Sequence, residues 1–217
     1  PANDTLQAKL TAWTYGHPFG ASTRSVRTHP EGFVDSPAYP VIQKQAMIAV
    51  GGYDERLTRN QDNDMSQRLR AAGHKMYCTW KTNAYIYSIP TINALLRYGF
   101  RGGNWNVRSL RANSSSMGLR HFTPALFLAS LIISALMGTI GVSSPSPYST
   151  VLVMPLLVIL GSYFALSTIS AVHVAVRERC YGALWLVLVF FLFHMMYGAG
   201  TVWGFVDSIY NWRRIKT

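Results

Sequence analysis

The longest uncharged stretch of the chain limits its possible folds more than any other feature. Between Arg120 and Arg177 there are 56 residues without Asp, Glu, Lys or Arg. This stretch contains two apolar runs, 123–142 and 150–176, and a third apolar run follows at 182–206. Each run reaches the roughly 20 residues that a helix needs to cross a hydrocarbon core. None has the polar stripe of a soluble amphipathic helix, so the sequence predicts a helical membrane region.

Positive charge is concentrated before these runs. The chain has a formal charge of +11, yet only 13% of its residues are charged and 49% are hydrophobic. Fifteen of its twenty Lys and Arg residues lie between Lys9 and Arg120. Because basic residues mark the cytoplasmic ends of membrane helices, we expect the part before the first run to be cytoplasmic. The third run is expected to cross as well, with a re-entrant segment as the alternative. A crossing leaves Arg213 and Arg214 outside the cytoplasm, against this rule. The Gly-rich second half of the run also permits a re-entrant segment.

The charge pattern and the cysteine content exclude other classes. A nucleic-acid binder of this net charge would carry many more charges of both signs, so no nucleic-acid partner is expected. The high aromatic content excludes a disordered chain. Two cysteines about a hundred residues apart, Cys78 and Cys180, exclude a disulfide scaffold.

Residues 1–90 alternate short helix and strand patterns, which favours an α/β fold. The Gly51-Gly52 turn ends one short helix, and Gly73 ends a longer one. The predicted elements are an extended segment at 33–42, helices at 43–50 and 62–72, and strands at 75–80 and 84–87.

Residues 91–121 form a basic amphipathic segment. Apolar side chains recur on one side of a helix at 91–111, while Arg97, Arg101 and Arg108 lie elsewhere, as in helices on a membrane surface. We therefore expect three parts: a soluble domain at 1–90, this interface segment, and a transmembrane region at 122–217.

The strongest chemical signal is a set of three short motifs. They read GGYDE at 51–55, NQDND at 60–64 and RLRAAG at 68–73. Asp62 stands where a loop turns into a helix, so its carboxylate can simply cap the first turn. A fixed carboxylate that faces a cleft can instead act as a general base. Position alone leaves both interpretations open.

This order of motifs resembles the inverting family 2 glycosyltransferases. It is most similar to the membrane-anchored enzymes of bacterial exopolysaccharide assembly, of the succinoglycan-biosynthesis type. The resemblance implies that residues 1–90 are the acceptor-side, C-terminal part of a GT-A-type (Rossmann-like) domain, with Asp62 as the catalytic base. Gln61 and Asp64 occupy positions where that family commonly has Glu.

The resemblance also implies an acceptor site formed by Trp105, Asp54, Gln61 and Asp64. In related enzymes the tryptophan stacks on the acceptor sugar, although Trp105 equally suits an anchor at the bilayer interface. Asp54 follows a Gly-Gly turn, where a turn-stabilising role is the alternative. His194, inside the third run, is a further candidate to face a lipid-linked acceptor.

The donor-binding half of such enzymes has no counterpart in this sequence. It ends in an Asp-x-Asp metal site, and none precedes Asp62. The resemblance therefore implies a chain that begins after that half and is inactive alone. A divalent metal, Mg²⁺ or Mn²⁺, is expected for the complete enzyme, with its ligands in the missing half and none in this chain.

The predicted function is transfer of a sugar from a nucleotide-sugar donor to a membrane-associated glycan or a polyprenyl-linked acceptor. The reaction would take place at the cytoplasmic face of a bacterial inner membrane. Arg97, Arg101 and Arg108 are expected to hold phosphates or lipid headgroups. The alternative is a non-catalytic membrane anchor or assembly subunit that keeps part of a glycosyltransferase scaffold. Gln61 and the degenerate sequence RGGNW at 101–105 favour that alternative.

Overall fold

The chain is largely helical. A computed structural model describes residues 5–21, 31–37, 39–81, 87–143 and 149–210. About 74% of the described residues are helical, and their only sheet has two short strands. The expected α/β fold, and with it the Rossmann-like GT-A domain, is therefore wrong for this chain.

Long helices dominate the second half of the chain, and shorter elements precede them. In chain order the helices are α1 (Leu6–Gly16), α2 (Pro18–Ala21), α3 (Lys44–Ala49), α4 (Gln61–Ala71), α5 (Ile92–Ala112), α6 (Thr123–Ser143), α7 (Ser149–Arg177) and α8 (Leu186–Tyr210), with 3₁₀ turns at Leu119–Phe122 and Tyr181–Trp185. The strands are β1 (Gly32–Phe33) and β2 (Tyr77–Cys78), which pair antiparallel.

The two strands are too short and too exposed to organise a domain. They pair at only two positions, Gly32 with Cys78 and Phe33 with Tyr77. Phe33 is 65% exposed and Tyr77 is 56% exposed, so the sheet has no buried face. An isolated two-stranded sheet is at best marginally stable in water. The extended segment predicted at 33–42 and the strand predicted at 75–80 thus yield mostly irregular structure among the described residues. The strand predicted at 84–87 lies almost wholly outside them.

The helix predictions in the soluble part are close to the structure. The helix predicted at 43–50 is α3, and Gly51 and Gly52 follow it with positive φ values of 84° and 71°. The helix predicted at 62–72 is α4. Gly73 follows it with φ 88°, a left-handed conformation that favours glycine, so the predicted stop signal is confirmed.

The three apolar runs form three long helical segments. Leu119–Ser143, Thr150–Arg177 and Tyr181–Tyr210 are each long and apolar enough to cross a membrane. The membrane character read from the sequence is therefore supported. α8 is one continuous helix, so its glycines do not break it, and the side of the membrane on which the soluble part lies stays a prediction.

Helix α5 is packed along α8. The main buried cluster joins α1, α5, α7 and α8 through Leu10, Leu95, Val174 and Phe190. The boundaries drawn at 90 and 121 therefore separate segments that share one core, and this core holds α1 and α5 against α7 and α8.

Candidate functional site

A cavity of about 700 Å³ lies between residues that precede α6 and the candidate membrane helices. Its lining includes Asp62, Asn63 and Arg59 from around the start of α4, and Phe127 and His194 from the candidate membrane helices α6 and α8. Binding sites for small molecules typically enclose about 300–1,000 Å³. The cavity thus has the size of a ligand site and joins polar groups to apolar ones.

Asp62 lies in the first turn of α4 and is exposed to this cavity. The N-cap residue of the helix is Asn60, not Asp62. The Asp62 Oδ1 atom accepts a hydrogen bond from the Asn63 backbone N–H at 2.9 Å, and the helix terminus favours a negative charge there. One carboxylate oxygen is thereby fixed, while the side chain stays open to a ligand. Asp62 is therefore not the N-cap residue that the sequence allowed, and its role as a general base stays a prediction.

A buried amide connects the loop before Asp62 to the membrane helices. Asn60 has a left-handed conformation, with φ 60°, and its Nδ2 donates to Asn106 Oδ1 at 3.1 Å. Asn106, on α5, is 3% exposed, and its Nδ2 donates to the Tyr197 hydroxyl on α8 at 2.7 Å and to the His121 carbonyl at 3.3 Å. The backbone two residues before Asp62 is therefore held in place by α5 and α8.

Asp64 has a different role from its neighbour. It is 1% exposed, and its Oδ2 accepts from Arg68 Nε and Nη2 at 2.9 and 2.7 Å. Its Oδ1 accepts from Asn113 Nδ2 at 2.8 Å. Arg68 also donates to the Val50 carbonyl. Both carboxylate oxygens are engaged, and the network connects α4 to α3 and to the end of α5.

Asp54 lies in a second, more open cleft of about 610 Å³, which Asp64 and Arg68 also line. The Arg56 guanidinium donates to both Asp54 oxygens, with the shortest distance, Nη2 to Oδ2, at 2.7 Å. These hydrogen bonds hold the pKa of Asp54 below its ordinary value. The predicted base and two of the predicted acceptor residues are thus divided: Asp62 lines the first cavity, whereas Asp54 and Asp64 line the second cleft.

The other predicted residues lie outside both spaces. The Arg108 guanidinium is 5.0 Å from the centre of the Trp105 ring and pairs with Asp207 on α8 at 3.1 Å. Arg97 and Arg101 are exposed along α5. Gln61 is the half-buried first residue of α4. The roles assigned to these residues stay predictions.

The membrane part of the cavity is rich in aromatic rings. Phe127 of α6 stacks on Tyr163 of α7 with ring centres 4.6 Å apart. The Tyr163 hydroxyl and His194 Nδ1 lie 2.9 Å apart, and Phe19 of α2 packs against both rings. The candidate His194 therefore shares the cavity of Asp62, but its polar atom faces Tyr163.

Two cationic residues that the sequence did not single out as ligands also line the cavity. Arg59 lies 4.4 Å over the Tyr98 ring, and Arg120 pairs with Asp35 at 3.2 Å. Arg59 is three residues before Asp62, a signal that sequence reasoning could have used. Asn106 and Tyr197 offered no such signal, because 91 residues separate these hydrogen-bonded partners.

The described residues do not supply a metal site. No three His, Cys, Asp or Glu side chains cluster among them, and the engaged oxygens of Asp64 leave Asp62 without a second free carboxylate beside it. The expected Mg²⁺ or Mn²⁺ stays a prediction for residues beyond this set.

Comparison with known proteins gives one informative match. The chain is similar to succinoglycan biosynthesis protein ExoA of Rhizobium meliloti (strain 1021). The two are 27% identical over 133 residues, which cover 61% of this chain and 40% of ExoA. No protein-family model and no solved structure matches. This similarity supports the resemblance that the motifs indicate. The matched region spans less than half of the length of ExoA.

Proposed function

We propose that the protein is a membrane-bound glycosyltransferase of polysaccharide assembly, with Asp62 as its general base. One observation carries the proposal: the exposed carboxylate of Asp62 opens into a cavity that continues among the membrane helices. The similarity to ExoA, whose name places it in succinoglycan biosynthesis, supports the same class of reaction.

The lining of the cavity suits an acceptor that has a sugar at one end and a lipid at the other. Asp62 and Asn63 offer polar groups to a sugar, and Arg59 and Arg120 offer positive charge to a phosphate. The rings of Phe127 and Tyr163 offer an apolar surface to a lipid chain. A polyprenyl-linked glycan has these three parts in this order.

The proposed reaction needs a base at the polar end of the cavity. Asp62 accepts the proton of an acceptor hydroxyl, while the oxygen of that hydroxyl forms a bond to the anomeric carbon of the donor sugar. The bond from that carbon to the nucleoside diphosphate breaks on the opposite face, and the diphosphate leaves with the electron pair. The configuration at the anomeric carbon is therefore inverted. Asn106 acts as a positioning residue, because it holds the loop that carries Asp62.

Substitution Asp62→Asn tests this assignment. Transfer of radiolabelled sugar from nucleotide sugars to a lipid-extractable acceptor is measured in membranes from cells that produce the protein from its natural gene. General-base catalysis contributes about 10²–10⁴-fold, so we expect a loss of that size. The amide keeps an oxygen for the Asn63 N–H, so the amount of protein in the membrane should not change.

The matched control is Glu55→Gln, an equivalent change at an exposed acid outside the cavity. It should retain transfer near the level of the unsubstituted protein. If Asp62→Asn also turns over near that level, Asp62 is not the base. The non-catalytic anchor or assembly subunit then becomes the better interpretation.

A further inference from the structure

The path of α8 relative to its neighbours differs from that of a simple membrane crossing. α5 runs parallel to α8, and the two stay in contact from Gly99 against Phe193 to the hydrogen bond from Arg111 to the Ser208 carbonyl. This contact runs over 16 residues of α8, from Phe193 to Ser208, a rise of about 22 Å at 1.5 Å per residue. α8 therefore cannot change its depth in the bilayer without taking α5 with it.

The composition of α5 does not suit a hydrocarbon core. Arg97 and Arg101 are exposed, and they lie on the part of α5 that packs near the middle of α8. Charged side chains at the centre of a bilayer are costly and rarely face lipid. A crossing by α8 would place these two guanidinium groups near that centre. At the bilayer interface they would instead reach anionic headgroups.

The contacts between α6 and α8 point in the same direction. α6 and α8 each follow a basic segment, so both would enter the bilayer from the same side and run parallel. Later residues of α8 would then contact later residues of α6. Instead Gly198 packs against Pro124 and Leu128, whereas Phe205, seven residues further along α8, packs against Phe122 with ring centres 6.1 Å apart. The later residue of α8 thus contacts the earlier residue near the start of α6. α8 therefore lies across the first turns of α6 and does not run down along it.

We infer that α8 does not cross the bilayer but lies with α5 in its interface, across the first turns of α6 and against Tyr163 of α7. The partner of this two-helix surface is the lipid itself. The exposed Leu188, Val202 and Ile209 of α8 meet the upper acyl chains, and Arg97 and Arg101 of α5 meet the headgroups. The arrangement also agrees with the positive-inside rule, because the sequence after Tyr210 is basic, with Arg213, Arg214 and Lys216.

Cysteine accessibility tests the inference with the full chain in sealed membranes. In a background with Cys78→Ser and Cys180→Ser, single cysteines are placed at three exposed positions: Ser115→Cys before α6, Ser143→Cys at the far end of α6, and Tyr210→Cys at the end of α8. A membrane-impermeant maleimide is applied to intact cells and to inverted vesicles. We expect Tyr210→Cys to react from the same side as Ser115→Cys. Reaction from the side of Ser143→Cys would overturn the inference.

Depth measurements give a second, independent test if position 210 does not react. Nitroxide labels at Leu188→Cys, Val202→Cys and Ile209→Cys report depth through the ratio of collisions with oxygen and with a water-soluble quencher. A label at Leu136→Cys, in the middle of α6, is the deep reference. We expect the three α8 labels to be shallow and similar. A Val202→Cys label as deep as Leu136→Cys would overturn the inference, whatever the labelling result.

Discussion

Replacing Gly103 by alanine tests the close packing of α5 on α8. A Cβ atom at this position would lie 2.7 Å from the Thr201 backbone nitrogen and 2.8 Å from Thr201 Oγ1, and closer still to the Tyr197 carbonyl oxygen. Carbon–oxygen contacts between helices normally fall at about 3.3–3.6 Å, so the helices must separate by roughly 1 Å. The atoms in the way are mostly backbone, which cannot rotate aside. Small residues allow this approach in membrane proteins.

The expected magnitude follows from two opposing effects. Overpacking costs about 1–3 kcal/mol, and a backbone clash belongs at the upper end of that range. Alanine regains up to about 1 kcal/mol of helix propensity relative to glycine. We therefore expect Gly103→Ala to destabilise the protein by about 2 kcal/mol, since the larger cost exceeds the gain. The hydrogen bond from Asn106 to Tyr197, one turn away, should weaken with it.

Two glycines provide a graded comparison. Gly161→Ala on α7 meets nothing within 4 Å and should be neutral or slightly stabilising. Gly102→Ala meets side-chain atoms of Tyr197, at 3.1 Å, rather than backbone, and should fall between the two. The assay is thermal unfolding in detergent micelles followed by far-ultraviolet circular dichroism. If Gly103→Ala unfolds at the same temperature as Gly161→Ala, the two helices are not packed as described.

Two further predictions concern ion pairs of contrasting burial. Arg68→Ala leaves the buried Asp64 carboxylate without its cation and should lower the free energy of unfolding by about 3–5 kcal/mol. Arg56→Ala, at a side chain that is 63% exposed, should lower it by less than about 1 kcal/mol. Equal losses of unfolding free energy in chemical denaturation would contradict the assigned network. Arg56→Ala should also raise the pKa of Asp54 toward the ordinary value of about 3.9, as measured by NMR titration of the carboxyl carbon. Because Arg56 lowers the folded-state pKa, this pair stabilises the fold above the unfolded-state pKa, and the contribution is lost as pH falls through the folded one. An unchanged titration of Asp54 would show that the two groups do not interact.

The fold could be predicted where a local signal was sufficient. Three long apolar runs specify helices in any context, because each helix satisfies its own backbone hydrogen bonds. The Gly73 stop signal and the short helix before Gly51 are likewise local. The α/β expectation failed because alternation over a few residues does not reveal whether a neighbouring strand exists. The segment 75–80 alternates polar and apolar residues as strands do, yet its sheet with β1 ends after two residues of each strand.

The site could be predicted only in part. The motif order singled out Asp62, and the structure gives it an exposed position on a cavity of ligand size. The same resemblance placed Asp64, two residues away, in the acceptor site. On a helix, however, positions two residues apart face different directions, and Asp64 turns inward to Arg68. Arg120 served in sequence only as a flank that set orientation, whereas it also lines the cavity.

The sequence by itself determined the membrane character of the chain, the extent of its long helices and the motif that contains Asp62. These features depend on composition and on neighbours within a few residues. The tertiary structure decided which acids face a cavity, that Asn106 and Tyr197 meet across 91 residues, and that α5 lies along α8. Such contacts depend on how whole helix surfaces fit together. A local sequence pattern does not predict that fit, because each helix surface alone is compatible with many partner surfaces.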